Sequence, residues 1–186
     1  MPIILPKAFP VLDGYMNEPL FFLAGPIKGG GDWQSAMTRL LRLRFGDPII
    51  ANPRRYGEKH HLYKQRLEGP EDHFPDNLAW ERWFLSQAAE SWPSGVVIFW
   101  LPAESKDDPR RDGLPFAMDT RGEIGEWRGR LMSNRRLRVV MGADPDFPGL
   151  RAVKRNFEEA VPGFKVHDSM SEAVADAARI LEQSLK

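Results

Sequence analysis

Val96-Val97-Ile98-Phe99-Trp100 is an unbroken run of five apolar residues. A run this short, without alternation, reads as a strand buried on both faces, as in the middle of a parallel sheet. Working outward, a helix is expected over about Asp76–Glu90 on one side. On the other lies a loop, Leu101–Ala117, rich in Asp, Pro and Arg, and then a helix beginning near Thr120. The same grammar recurs along the chain. Leu20–Ala24 is a strand ended by Gly25-Pro26, and Asp32 is the expected N-cap of a helix through Arg44, with Trp33, Met37, Leu40 and Leu41 near helical spacing. Pro48–Ala51, Leu137–Met141 and Phe164–His167 read as further strands, and Leu150–Ala160 and Met170–Leu185 as helices.

Five strands with interleaved helices predict an α/β fold: a single-domain, doubly wound, mostly parallel sheet of the flavodoxin or Rossmann kind. The domain is expected over residues 20–186, with residues 1–19 as an N-terminal extension. At 186 residues and 42% hydrophobic composition the chain can bury a sizeable core. Its 26 basic residues balance 26 acidic ones, so a nucleic-acid polymer, whose binding leans on surplus positive charge, is not an expected partner. Zero cysteines exclude disulfides, thiolate metal sites and a Cys nucleophile. Residues Met1–Asn17 carry prolines and no long apolar run, so neither a signal peptide nor a membrane anchor is expected, and a cytoplasmic location is the default. The polar stretch Arg54–Pro75 is long for a connection and holds His60, His61 and His73. No carboxylate-spaced motif accompanies these histidines, and no metal or other cofactor is expected.

In doubly wound sheets ligands sit on the loops beyond the carboxyl ends of the strands, and three segments there could carry chemistry. Ala24-Gly25-Pro26-Ile27-Lys28-Gly29-Gly30-Gly31-Asp32 is a glycine-rich strand-to-helix turn. Such a turn can converge backbone N–H groups on an anion, with Lys28 adding a full charge, or can be only a turn that needs φ > 0. Glu81 lies in a helix between Trp80 and Trp83, where a carboxylate could be desolvated and its pKa raised, or could be an ordinary solvated glutamate. In Asp119-Thr120-Arg121-Gly122-Glu123-Ile124-Gly125, the Thr120 and Glu123 spacing fits a capping box. The flanking glycines suggest instead room made for a ligand beside Glu123. A carboxylate at the head of a helix is expected to be ionised at neutral pH.

Taken together these segments resemble the nucleoside 2-deoxyribosyltransferase-like family and its relatives, the 2′-deoxynucleoside 5′-monophosphate N-glycosidases. The resemblance runs from about Phe21 to Met141 and rests on Gly25-Pro26-Ile27-Lys28-Gly29-Gly30, Glu81 and Glu123-Ile124-Gly125. Asn52-Pro53-Arg54-Arg55 and Trp80-Glu81 are similar to a divergent branch. The resemblance implies a retaining double displacement: Glu123 attacks the anomeric carbon, Glu81 manages the proton of the departing base, and Asp119 assists. It implies substrate contacts from Phe22, Gly25, Ile27, Lys28, Gly29, Gly30, Trp33, Asn52, Arg54 and Arg121. Phe22 stands where many members carry tyrosine, and Ala117 where many carry Asp or Ser. The implied partners are a nucleoside or nucleotide, a free nucleobase and further copies of the chain, in a homodimer or larger assembly. Two alternatives stay open: hydrolysis of a nucleoside 5′-monophosphate, and a nucleotide-binding domain without turnover.

Overall fold

The computed structural model describes residues 2–184. Six strands form one sheet: β1 (Ile3–Ile4), β2 (Leu20–Ala24), β3 (Ile49–Ala51), β4 (Gly95–Leu101), β5 (Val139–Ala143) and β6 (Val166–His167). Their order is β1-β3-β2-β4-β5-β6, and every neighbouring pair is parallel. The expected α/β doubly wound architecture is therefore present, with six strands where the sequence suggested five. The sixth comes from residues 1–19, expected as an extension. Ile3 and Ile4 align with Ile50 and Ala51, so β1 exists through its pairing with β3.

The helices are α1 (Trp33–Phe45), α2 (Asn77–Ser86), α3 (Met118–Ser133), α4 (Leu150–Ala160) and α5 (Met170–Ser184). The expected end of the last helix, Leu185, lies outside the described residues. Because strand side chains alternate between faces, Phe21, Leu23, Ile98 and Val140 pack with α1 and α5. Phe22, Val97, Phe99 and Met141 pack on the other face with α2, α3 and α4. The strands are buried throughout β2, β3, β4 and β5, as their unbroken apolar runs require. No helix among the described residues is long and apolar enough to cross a membrane.

Local boundaries moved in instructive ways. α2 is capped as expected by Asp76, whose carboxylate accepts from the Ala79 N–H at 2.8 Å. Its end unwinds into a π-helical turn, Gln87–Ser91. Asp32 makes no side-chain cap on α1; its carboxylate instead accepts from Tyr56 at 3.0 Å and lies 3.2 Å from His60 Nε2. The Arg54–Pro75 segment is thereby tied to the glycine-rich turn, and Leu62 anchors it in the core.

Candidate functional site

The order in which successive strands are laid down reverses between β2 and β4: from β2 the chain steps to β3 on one side, and from β4 to β5 on the other. The loops leaving these two strands must diverge, which opens a crevice at their carboxyl ends. A cleft of about 1050 Å³ occupies that place, at the upper end of the roughly 300–1,000 Å³ typical of small-ligand sites. Phe22, Ala24 and the glycine-rich turn form one wall, the loop after β4 another, and α2 and α3 contribute Glu81, Asp119, Thr120 and Glu123.

The glycine-rich turn is shaped by close approach. A Cβ on Gly25 (φ +150°) would lie 2.2 Å from the Trp100 carbonyl oxygen, and one on Gly29 (φ +80°) 2.9 Å from the Arg110 nitrogen. Gly30 folds back on Pro26 in the same way and does not line the cleft. The turn is pinned from behind by Trp33, whose indole N–H donates to the Pro26 carbonyl at 2.9 Å. Trp33 is thus buried support and not a cleft residue, contrary to the contact expected of it. Arg54 lines the cleft and also donates to the Gly31 carbonyl. Asn52 is fully buried and acts indirectly: its side-chain oxygen accepts from the Arg54 backbone N–H at 3.0 Å. Phe22 forms part of the floor, 2% exposed.

α3 starts at Met118, two residues earlier than expected, from a left-handed Ala117 (φ +58°) that itself lines the cleft. Glu123 therefore falls in the second turn, too far along to cap the helix, and no side-chain cap is made there. Asp119 and Glu123, four residues apart, share the cleft face. Arg121, two residues from Glu123, points elsewhere: its guanidinium donates to the Pro148 carbonyl at 2.7 Å and covers the Phe147 ring. That geometry corrects the expected substrate contact of Arg121. Gly122 and Gly125 are exposed and do not line the cleft.

Electrostatics single out the two glutamates. Burial, then the negative charges of Glu81, Asp119 and Glu126, push Glu123 up to about 7. Burial, then Asp119, raises Glu81 above the ordinary carboxylate range as well. Glu123 is thus only part-ionised at neutral pH where the helix dipole implies full ionisation, because the dipole's influence fades within the first turn while desolvation and three acidic neighbours act directly.

The loop after β4 supplies residues that the sequence reading passed over. Arg110 is doubly bonded to Asp112 (2.6 and 3.1 Å) and lies 3.5 Å from Asp119. Lys28 meets the same Asp112 at 2.9 Å, so it is not an isolated charge among glycines. Arg110 and Lys28 hold the Asp112 carboxyl well below its usual range. With Arg54, Arg55 and Arg111 these cations line the cleft, alongside the carboxylates of Glu81, Asp108, Asp112, Asp119 and Glu123. The Arg- and Asp-rich composition of Leu101–Ala117, directly after the central strand, was the available signal. The histidines lie away from the cleft: His60 stacks on Tyr56 and His73 on Phe9.

No protein-family model and no curated protein matches this chain.

Proposed function

We propose that the protein cleaves the N-glycosidic bond of a 2′-deoxynucleoside through a covalent glycosyl-glutamate and passes the sugar to another nucleobase. One observation carries the reading: two carboxyls from different helices, Glu81 and Glu123, face one cleft at the switch point, both with raised affinity for protons. Displacement at an anomeric carbon needs one ionised carboxylate and one proton donor. Burial and the charge of Glu81 beside Glu123 let the pair retain one proton over an extended pH window; the reaction requires that proton on Glu81 when Glu123 attacks.

In the first step a Glu123 oxygen bonds to the anomeric carbon. The C–N bond breaks with its electron pair going to the base, and Glu81 delivers a proton to that base. In the second step the nitrogen of an incoming base attacks the same carbon, the ester C–O bond breaks, and the proton returns to Glu81. Assembly into a homodimer or larger belongs to the same reading. A second reading, hydrolysis of a nucleoside 5′-monophosphate with water as the acceptor, is favoured by Arg54, Arg55 and Arg111, which line the cleft and are not bound to Asp112.

Incubation with a deoxynucleoside and a different free base tests both. Base exchange supports transfer, free sugar or sugar phosphate supports hydrolysis, and binding without turnover removes both. A 2-fluoro-2-deoxy analogue should leave a sugar adduct on Glu123, seen by intact-mass and peptide mass spectrometry.

A further inference from the structure

A second cleft, of about 530 Å³, opens at the same edge of the sheet beyond β1 and β3. Its walls come from residues 5–8 and from the Arg54–Pro75 segment, and Arg55 lines both clefts. We propose that this second cleft is a binding site for a phosphate monoester, with Lys7 as its anchoring cation and Arg66 and Arg55 as flanking donors.

Lys7 is the observation that needs an explanation. Leu5-Pro6-Lys7-Ala8 closes as a tight turn, with the Ala8 N–H donating to the Leu5 carbonyl at 3.2 Å. Proline at the second position and positive φ at the third are the marks of a turn that normally takes glycine or asparagine there. Lysine occupies that third position at φ +70°, one of only two non-glycine residues with positive φ among those described. The other is Ala117, which lines the first cleft. Backbone strain of this kind persists where a side chain is needed at that point in space. The Lys7 side chain has no hydrogen bond or ion pair among the described residues, although it lines a cleft and is only partly exposed.

The neighbours suit an anion with several oxygens. The Arg66 guanidinium lies over the Tyr63 ring at 4.0 Å and is held toward the Tyr63 carbonyl, which fixes its plane. One of its nitrogens reaches Glu68 at 3.0 Å, a pair whose carboxylate is 81% exposed and easily exchanged for a better-placed anion. Arg55 is positioned by donating to Asn77 at 3.0 Å. Three cations face two lining carboxylates, Glu68 and Glu71, which leaves the cleft net positive. Planar, multidentate recognition by arginine favours phosphate, with an ammonium as a point charge beside it.

Calorimetric titration of the full chain with phenyl phosphate, inorganic phosphate and benzoate, followed by amide NMR, tests the assignment. Phenyl phosphate should bind saturably and shift the Lys7, Tyr63 and Leu67 amides. Equal affinity for inorganic phosphate would identify free phosphate as the ligand source, and weaker affinity a phosphorylated organic molecule. Lys7→Gly should weaken binding about tenfold or more, the scale of one charge-assisted contact. It should also hold or raise the melting temperature, by up to about 2–4 °C, because glycine accepts that φ without strain. Lys7→Gln, which keeps the backbone demand and removes only the charge, should lose the same affinity. Full affinity in both Lys7 variants would overturn the proposal. So would the absence of binding, equal binding of benzoate, or shifts confined to the first cleft. Because no turnover is read, failure of the glycosyl-transfer reading leaves this test intact.

Discussion

Glu123 on α3 and Asp176 on α5 are both partly covered carboxylates on helices packed against the sheet, yet their surroundings are opposite. Asp176 lies 3.0 Å from His167 Nε2 and is forked by Arg179. Burial works against its charge, but those two partners outweigh it and lower its pKa. Glu123 is buried among Glu81, Asp119 and Glu126, and every one of these influences raises it, to about 7. A carboxylate with partners is what folding stability alone produces. A carboxylate crowded by like charges opposes stability, and such sites gather where a proton must be held or moved. The difference separates a structural cluster at the β6 edge from a candidate reaction centre at the β2–β4 crevice.

The largest expected effect lies in the chemistry. Glu123→Gln should abolish adduct formation and cut base exchange on the order of 10⁴-fold or more, as loss of a covalent nucleophile does. Retention of most activity, in the same exchange assay, would remove Glu123 from the mechanism. Glu81→Gln should cost about 10²–10⁴ in rate with a natural base. It should cost much less with a nitrophenyl deoxyriboside, whose leaving group needs no proton; equal losses would make Glu81 a sugar-positioning group.

The comparison sharpens further in stability against pH. Glu123 has a folded pKa above its unfolded value near 4.5. Its contribution is therefore fully present below about pH 4.5 and lost as pH rises through about 7. Glu123→Gln should stabilise the fold at pH 8, by about 3 kcal/mol, and leave it nearly unchanged at pH 4. Asp176 runs the other way. Its depressed pKa stabilises the fold above about pH 4, and the effect fades as pH falls through the folded value. Asp176→Asn should therefore destabilise at pH 7, by roughly 1 kcal/mol or less, because its Arg179 partner is exposed. Denaturant melts of both variants at pH 4 and 8 read the two signs, and matching signs would erase the contrast. The smallest effect concerns the exposed glycines of α3. Gly122→Ala should stabilise by roughly 0.5–1 kcal/mol, because alanine loses less backbone freedom in a helix and its methyl meets open space. Unchanged exchange activity in that variant would confirm that Gly122 makes no room for the ligand.

What the sequence by itself determined was the sheet and the address of the cleft. Leu20–Ala24 and Val96–Trp100 are apolar without interruption because both faces of a central parallel strand are covered, so local composition alone reveals them. The glycine-rich turn was legible for a similar reason: Gly25 and Gly29 stand where backbone meets backbone, and only glycine fits. β1 was not legible, since two isoleucines become a strand only by pairing with β3 some 45 residues away. α3 starts two residues before the Thr120 that local sequence implies, which puts Glu123 beyond a capping position, and Arg121 reaches to Pro148. The protonation state of Glu123 owes a part to Asp119 and Glu126 on its own helix, but its leading causes belong to the tertiary structure. It depends on Glu81, brought from another helix, and on the exclusion of water by the packed crevice. Neither quantity has any local signature in the chain, because desolvation and charge–charge repulsion act through space and not along the sequence.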